Sequence, residues 1–358
     1  MDEKSGPLDA RYSELDSWCT ERLTELMVSD KQSGLKSVSG DASFRRYYRA
    51  HTNSGDSFIA VNAPPPQENC GTFVAIAKSW REQGIRTPVV HFADIGRGYM
   101  LLEDFGDQLF YSALEPFQTK ERLPDSIDNL YDSAIDALLV LQKSRAPKDY
   151  SLPVYDGEWL TREMQLFPEW CLTQLLGMAL TDDEHTLLTD LFAKLTKSAL
   201  AQPQVPVHRD YHSRNIMMLS DGLGLIDFQD AVLGPVTYDP VSLLRDCYLD
   251  WPQKKVYQWL DHFAARSEHL QGVDKDQLYQ WFDWMGAQRH IKVLGLFVRL
   301  WLRDGKSVYL NDIPRVTAYL GWVCARYPEL SEACYWLNSE VLPRLKAQNW
   351  WQDYSLRD

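Results

Sequence analysis

No run in the 358-residue sequence is long and apolar enough to span a bilayer, and the opening MDEKSGPLDARYSEL has no apolar stretch of signal-peptide type. No membrane association is expected, and the cytoplasm is the expected location. Basic residues are outnumbered, 37 against 50 acidic, for a formal net charge of -13, and they form no block suited to a phosphate backbone. That excludes nucleic acid as a partner. Cysteine is sparse: Cys19, Cys70, Cys171, Cys247, Cys324 and Cys334 are scattered without a CxxC, so reduced thiols are expected rather than a disulfide framework or zinc site. There is no internal repeat and no low-complexity tract. Nothing indicates an obligate protein partner.

What is present is apolar and aromatic. A hydrophobic fraction of 45%, 12% aromatics and 13 Trp exclude a disordered chain, and the length exceeds one ordinary domain, so two lobes are expected. Leu15–Met27 has helical periodicity. Leu35–Val38, Phe44–Ala50 and Ser57–Asn62 read as strands separated by the turns SGDAS and TNSGDS. Phe73, Ile76, Ala77 and Trp80 recur at helical spacing before Gly84, and Val89–Phe92 and Tyr99–Leu102 complete a five-stranded antiparallel sheet. From Leu109 onward the pattern is mainly helical: Ile127–Gln142, Glu158–Leu176 interrupted at Pro168, and Asp182–Leu200 capped by Thr181 or Asp182. After residue 239 come Pro240–Tyr248, Lys254–His269, Lys275–Leu302, Ile313–Tyr327 and Leu330–Leu345, whose Trp and Tyr residues read as core.

Chemistry concentrates between Val207 and Asp239. Phosphoryl transfer needs a carboxylate to orient the attacking hydroxyl and oxygen ligands to hold magnesium against the phosphates. VHRDYHSRNIMML supplies Asp210 for the first task and Asn215, five residues on, for the second. Ile216–Leu219 and Leu223–Ile226 read as a hairpin that returns Asp227 beside Asn215. One carboxylate and one amide suffice for magnesium, which keeps several waters. The same residues are also open to two other readings, turn-capping and a hydrolytic metal cluster of His208, Asp210 and His212, and the second lacks further ligands. Asp239, just before Pro240, sits where a helix-capping carboxylate would.

HRDYHSRN, IDFQDAVLGP and YDPVSLLRD resemble the motifs of the aminoglycoside phosphotransferase superfamily, kinase-like enzymes that act on small molecules. SGDASFRRYYR, NAPPPQEN, LLEDFGDQLF and DGEWLTREMQLFPEWCL extend the likeness toward bacterial anomeric sugar kinases of cell-wall recycling, over about Ser39 to Pro252. The resemblance implies an α+β, two-lobed protein-kinase-like fold. Its parts would be a small antiparallel-sheet lobe (1–103), a hinge (104–108) and a larger, mostly helical lobe (109–358). It implies ATP and Mg2+ as cofactors, an amino sugar (N-acetylmuramate or N-acetylglucosamine) as acceptor, and phosphorylation at the anomeric hydroxyl. Ser39, Gly40, Asp41 and Ser43 would then line the nucleotide phosphates together with Arg45, and the backbone of Glu103 and Phe105 would read the adenine edge. Trp159, Glu163 and Trp170, with Glu169, would face the acceptor, and Arg214 or Arg162 its carboxylate. His208 and Asp239 would support the catalytic loop. Alternatives are a kinase of an aminoglycoside, choline or homoserine, and a nucleotide-binding pseudokinase.

The chain departs from the protein-kinase pattern in several places. Gln229 replaces the DFG glycine, no APE follows, and no GxGxxG lies near the N-terminus. Asn62 stands where strand three usually carries the phosphate-contacting Lys, which leaves Glu68 or Glu82 without its usual partner and Arg45, Arg46 or Arg49 as substitutes.

Overall fold

The computed structural model describes residues 7–26, 34–38, 44–120, 123–148 and 150–357. In chain order the first elements are α1 (Pro7–Glu25), β1 (Lys36–Ser37), β2 (Arg46–His51), β3 (Ser57–Asn62), α2 (Cys70–Glu82), β4 (Val90–Asp94) and β5 (Tyr99–Glu103). Next come α3 (Phe110–Leu114), α4 (Ser126–Gln142), α5 (Gly157–Met164), α6 (Asp182–Leu200), β6 (Gln204–Val207), β7 (Ile216–Leu219), β8 (Gly222–Leu225) and β9 (Val232–Pro235). The rest is helical: α7 (Tyr238–Leu244), α8 (Gln253–Arg266), α9 (Lys275–Asp304), α10 (Ile313–Arg326), α11 (Ser331–Trp336) and α12 (Leu342–Lys346). The chain divides into two compact units that are each discontinuous in sequence.

The first unit holds Met1–Gln108 with Ser144–Ser151 and Met217–Gln229. Its sheet has the order β1-β2-β3-β5-β4, all antiparallel, with β3 in the middle. Alternation along β3 and β5 puts Ala60, Tyr99 and Leu101 into one apolar cluster with Leu15, Trp18, Cys19 and Leu23 of α1. Each such large side chain contributes roughly 1.5–3 kcal/mol by leaving water. The alternate residues Val61, Met100 and Leu102 are buried too, so both faces of the sheet are covered. On α2, Phe73 stacks on Phe228 at 4.8 Å and Trp80 lies 5.7 Å from the same ring. α1 begins at Pro7, earlier than its periodicity suggests, because proline tolerates the first helical turn. Met27, the expected end, lies outside the described residues. β2 starts at Arg46 rather than Phe44, whose ring is exposed.

The second unit is mostly helical and is organised on α9, 30 residues long with buried residues around most of its circumference. β6 and β9 form a short antiparallel pair. α6 starts at a complete capping box between Thr181 and Glu184, which fixes its boundary where the sequence put it. The stretch Glu158–Leu176 divides at Pro168, as expected. α5 stops at Met164 and a π-helical segment, Phe167–Leu175, begins with that proline in its first turn, where a missing N–H is harmless. α9 passes so close that a Cβ on Gly295 would sit 2.2 Å from the carbonyl carbon of Leu166, so only glycine fits this crossing.

Two buried polar groups mark the inner side of α9. Arg245 and Asp283 form an ion pair at 2.7 Å with no side-chain exposure on either partner. Asp283 also accepts from the Tyr257 hydroxyl at 2.7 and 2.8 Å and from Tyr327 at 2.6 Å. His290 is fully buried, stacked on Tyr319 at 5.0 Å, and burial pushes its pKa down to about 3, assisted by the charges of Arg245 and Arg289. The unfolded chain therefore binds this proton more readily than the folded one. Stability contributed by neutral His290 is complete above the ordinary histidine pKa near 6.5 and is lost progressively as pH falls toward 3. Thermal melts from pH 7 to 4.5 are expected to show a steeper loss in the wild type than in His290→Gln. That difference isolates the imidazole from carboxylates titrating in the same window, and parallel curves would contradict it.

Candidate active site

The loop after β6 is shaped by its backbone. Arg209 adopts a left-handed conformation, φ 74°, which costs a non-glycine residue about 1–2 kcal/mol. Three contacts hold it: the Asp239 carboxylate accepts from the backbone N–H of His208 at 2.7 Å and of Arg209 at 3.1 Å, and Arg289 Nη1 donates to the Arg209 carbonyl at 2.8 Å. Asp239 is thus not the helix cap its position before Pro240 suggested. α7 starts at Tyr238, two residues before Pro240, with Thr237 at the N-cap, and Asp239 turns back from its first turn to the loop. Burial pushes the Asp239 carboxyl up to about 7 against these hydrogen bonds. His208 is fully buried.

The next residues form a tight turn: His212 N–H donates to the Asp210 carbonyl at 2.9 Å, Asn215 N–H to the His212 carbonyl at 2.9 Å, and Asn215 Nδ2 to the Asp210 carbonyl at 3.1 Å. Tyr211 pins the turn to α4 by donating to the Ala134 carbonyl at 2.7 Å. Asp210 keeps 39% of its side chain exposed, with Arg289 at 3.7 Å. Desolvation would raise its pKa, but Arg289, Lys292, His212 and Arg209 more than offset that and hold the carboxyl well below the usual range. Asp210 is a weakly basic carboxylate, suited to orienting a hydroxyl and taking its proton late.

Around Asp210 lies a polar cluster that the sequence did not announce. Glu163, buried on α5, accepts from Arg209 Nη2 and the Tyr155 hydroxyl and pairs with Lys292 Nζ at 3.1 Å. Burial raises its pKa, but Lys292 and Arg209 outweigh that, and the carboxyl titrates below its ordinary value. Arg209 lies over the ring of Trp159 at 5.0 Å, and Trp159 is half-buried. Trp170 packs against the helical core instead, and Glu169 is exposed. Arg214 stacks on Tyr248 at 3.6 Å, while Arg162 is an exposed partner of Glu158. Arg289 and Lys292 were missed because they stand about 80 residues after Asp210. The only local sign is the run RHIK inside a helix that is otherwise core.

In the first unit, Asp227 also has a positive φ, 62°, and accepts from Gln229 Nε2 at 2.7 Å, so the residue in place of the DFG glycine braces the carboxylate. Arg45 Nη1 stands 3.7 Å from the same Asp227 oxygen, and its Nε bonds Glu68 at 2.8 Å. Asn62 is buried and its amide oxygen accepts from Arg11 at 2.7 and 3.0 Å. The Glu103 N–H pairs with the Val89 carbonyl at 2.9 Å, and its side chain bonds Arg86 at 2.7 and 2.5 Å. Phe105 lies under Arg86 at 4.8 Å and fills the space over Gly224, where a Cβ would come within 2.5 Å of the ring. Ser39, Gly40, Asp41 and Ser43 lie outside the described residues.

Among the described residues no group of three or more His, Cys, Asp and Glu is placed to hold a metal ion. His208, Asp210 and His212 therefore do not make the hydrolytic cluster considered above. Asn215 has its Nδ2 engaged by the Asp210 carbonyl, which leaves the amide oxygen as its available donor atom. A carboxylate and an amide oxygen are the hard donors magnesium takes.

Residues 34–281 match the model of the family described as "Phosphotransferase enzyme family". The chain belongs to the phosphotransferase enzyme family. This phosphotransferase is 41% identical to the N-acetylmuramate/N-acetylglucosamine kinase of Pseudomonas putida, over 90% of this chain and 95% of that one. It is 37% identical to the Neisseria meningitidis kinase of the same name, over 86% of this chain and 90% of that one. Solved structures share the fold at low identity. The choline kinase LicA of Streptococcus pneumoniae superposes with a TM-score of 0.57 at 13% identity, covering 88% of this chain and 100% of that one. The gentamicin complex of APH(2")-IIa gives 0.58 at 12%, covering 88% and 97%. The phosphotransferase thus has the kinase-like α+β fold, with a small antiparallel sheet and a mostly helical remainder. Among the described residues no helix is long and apolar enough to cross a membrane.

Proposed function

We propose that this phosphotransferase transfers the γ-phosphate of ATP to the anomeric hydroxyl of N-acetylmuramate and N-acetylglucosamine in the cytoplasm, where ATP is available, as a step of peptidoglycan recycling. The observation that carries the acceptor assignment is the likeness to kinases of that name over 90% of the chain, at 41% identity for the Pseudomonas putida protein. Asp210 orients the attacking hydroxyl. Its depressed pKa makes it a weak base, which suits an anomeric hydroxyl, more acidic than an ordinary alcohol. Asn215 and Asp227 would hold Mg2+, which when bound neutralises charge on the transferring phosphates. The loop of Ser39, Gly40, Asp41 and Ser43 would cradle those phosphates, and the Glu103 carbonyl with the Phe105 N–H would read the adenine edge. Trp159 offers an apolar sugar platform and Arg214 a carboxylate partner, whereas Trp170 belongs to the helical core. Glu163 acts by fixing Arg209 and Lys292.

A cationic acceptor such as choline or an aminoglycoside fits this surface less well, because Arg209, Arg289 and Lys292 all surround Asp210. The test is ATP consumption with magnesium against N-acetylmuramate, N-acetylglucosamine, an aminoglycoside, choline and homoserine, with the product's phosphate located by NMR. Turnover on the two amino sugars with phosphate on C1 is expected. Turnover confined to a cationic acceptor, or nucleotide binding with no turnover on any, would overturn the reading; the second result would favour a pseudokinase.

A further inference from the structure

The usual strand-three lysine is absent, and the residue in its place is already taken up by a cation of α1. Asn62 ends β3, is buried, and has its amide oxygen held by Arg11 of α1. A phosphoryl-transfer site still needs a positive charge on the nucleotide phosphates. Three arginines on the adjoining strand segment were available. Arg49 is engaged by two carboxylates, Asp104 at 2.6 and 3.1 Å and Asp107 at 2.9 and 3.0 Å. Arg46 is exposed, and its Nη1 donates to the Arg45 carbonyl at 2.9 Å.

Arg45 differs from both. It is 7% exposed, and it immediately precedes Arg46, the residue paired with Asn62 across the β2–β3 ladder. Alternation puts its side chain on the face of the sheet opposite to Asn62, clear of Arg11. Nε bonds Glu68 at 2.8 Å, and Glu68 is anchored by the Phe44 N–H at 3.2 Å. Glu82, the other acidic candidate, is exposed on α2. With Nε fixed, the far end of the guanidinium faces Asp227 at 3.7 Å. That separation is too long for a closed hydrogen bond, yet it places a cation and a carboxylate where both reach one phosphate group.

We propose that Arg45, oriented by Glu68, is the phosphate-contacting cation of this phosphotransferase, so that the lysine–glutamate pair of ordinary kinases is replaced by an arginine just before β2 and a glutamate between β3 and α2. The assignment rests on the kinase reading above and adds the residue which that reading lacked. Burial alone would weaken the charge, but Tyr47, Glu68 and Asp227 more than compensate, and the guanidinium stays protonated.

The experiment compares wild type, Arg45→Met, Arg45→Lys and Glu68→Gln by ADP titration with magnesium in the absence of acceptor, by kcat and KM for ATP and acceptor separately, and by thermal melting. Arg45→Met is expected to lower kcat/KM for ATP about 100-fold, a typical loss for one charge-stabilising donor, with acceptor KM changed less than about threefold. Arg45→Lys is expected near a tenfold loss, since a lysine keeps the charge but not the fork that serves Glu68 and a phosphate together. Glu68→Gln is expected to fall between Arg45→Lys and wild type. Wild-type ADP affinity and ATP kinetics in Arg45→Met would overturn the proposal, as would equal loss for ATP and acceptor. If Arg45→Met does not fold, Arg45→Lys decides: unaltered ATP kinetics at wild-type stability sinks the assignment. A wild-type enzyme that binds ADP but ignores amino sugars would defeat the acceptor reading while leaving this titration decisive.

Discussion

Asp210→Asn is expected to lower kcat on N-acetylmuramate by about 10³-fold, within the range for removing a general base, while ADP affinity stays within a few-fold of wild type. The amide is isosteric and still accepts a hydrogen bond through its oxygen, so the acceptor can bind. It can no longer take the proton, and it no longer balances the cations around it. Arg289 stands 3.7 Å from the carboxylate, and Arg209 and Lys292 also act on it. Its lowered pKa means that the charged carboxylate also stabilises the fold, so thermal melting accompanies the kinetics to show that the variant is folded at the assay temperature. Steady-state kinetics beside nucleotide titration check this. Wild-type turnover in the variant would remove Asp210 from the chemistry.

The largest expected stability effect lies elsewhere. Asp283→Ala should cost about 3–5 kcal/mol, because it leaves the Arg245 guanidinium charged with no exposure to water. Tyr257 and Tyr327 lose their common acceptor in the same step. Arg245 also faces the rings of Phe282 at 4.6 Å and Trp322 at 4.9 Å, which soften the isolated charge without replacing a counter-ion. Urea denaturation should show the midpoint falling with little change in slope. Replacing both partners, Arg245→Met with Asp283→Leu, is expected to recover a large part of the loss, since an apolar pair carries no desolvation penalty. A loss below about 1 kcal/mol in Asp283→Ala would mean that water reaches the guanidinium or the site collapses around it.

How far the sequence reached depends on whether a feature is local. α6 and the strands of the sheet follow from period, caps and turn residues, all readable within a dozen positions. The turn holding Asp210 and Asn215 is likewise set by neighbours in the chain. Contacts set by packing were out of reach. The π-helical segment at Phe167–Leu175 answers the passage of α9 at Gly295, more than 100 residues later. Glu163 looked like an acceptor ligand on an amphipathic helix, yet its carboxylate is bound by Arg209, Lys292 and Tyr155, none predictable from the residues beside it. The missing lysine was legible as an absence, but the choice among Arg45, Arg46 and Arg49 needed the register of β2 on β3 and the partners of each arginine.

The first unit is completed by segments far from its start. The Gln83 side-chain amide donates to the Arg145 carbonyl and accepts from the Arg145 N–H, Leu225 N–H donates to the Arg86 carbonyl at 2.7 Å, Met218 N–H to the Gln108 carbonyl at 2.7 Å, and Phe228 lies on Phe73. A ribosome delivers these pieces only after residue 229 has been made. During synthesis, then, the sheet waits with Phe73 and Trp80 uncovered while much of the second unit is already being translated, and a nascent chain arrested near residue 108 displays an unfinished apolar surface to chaperones.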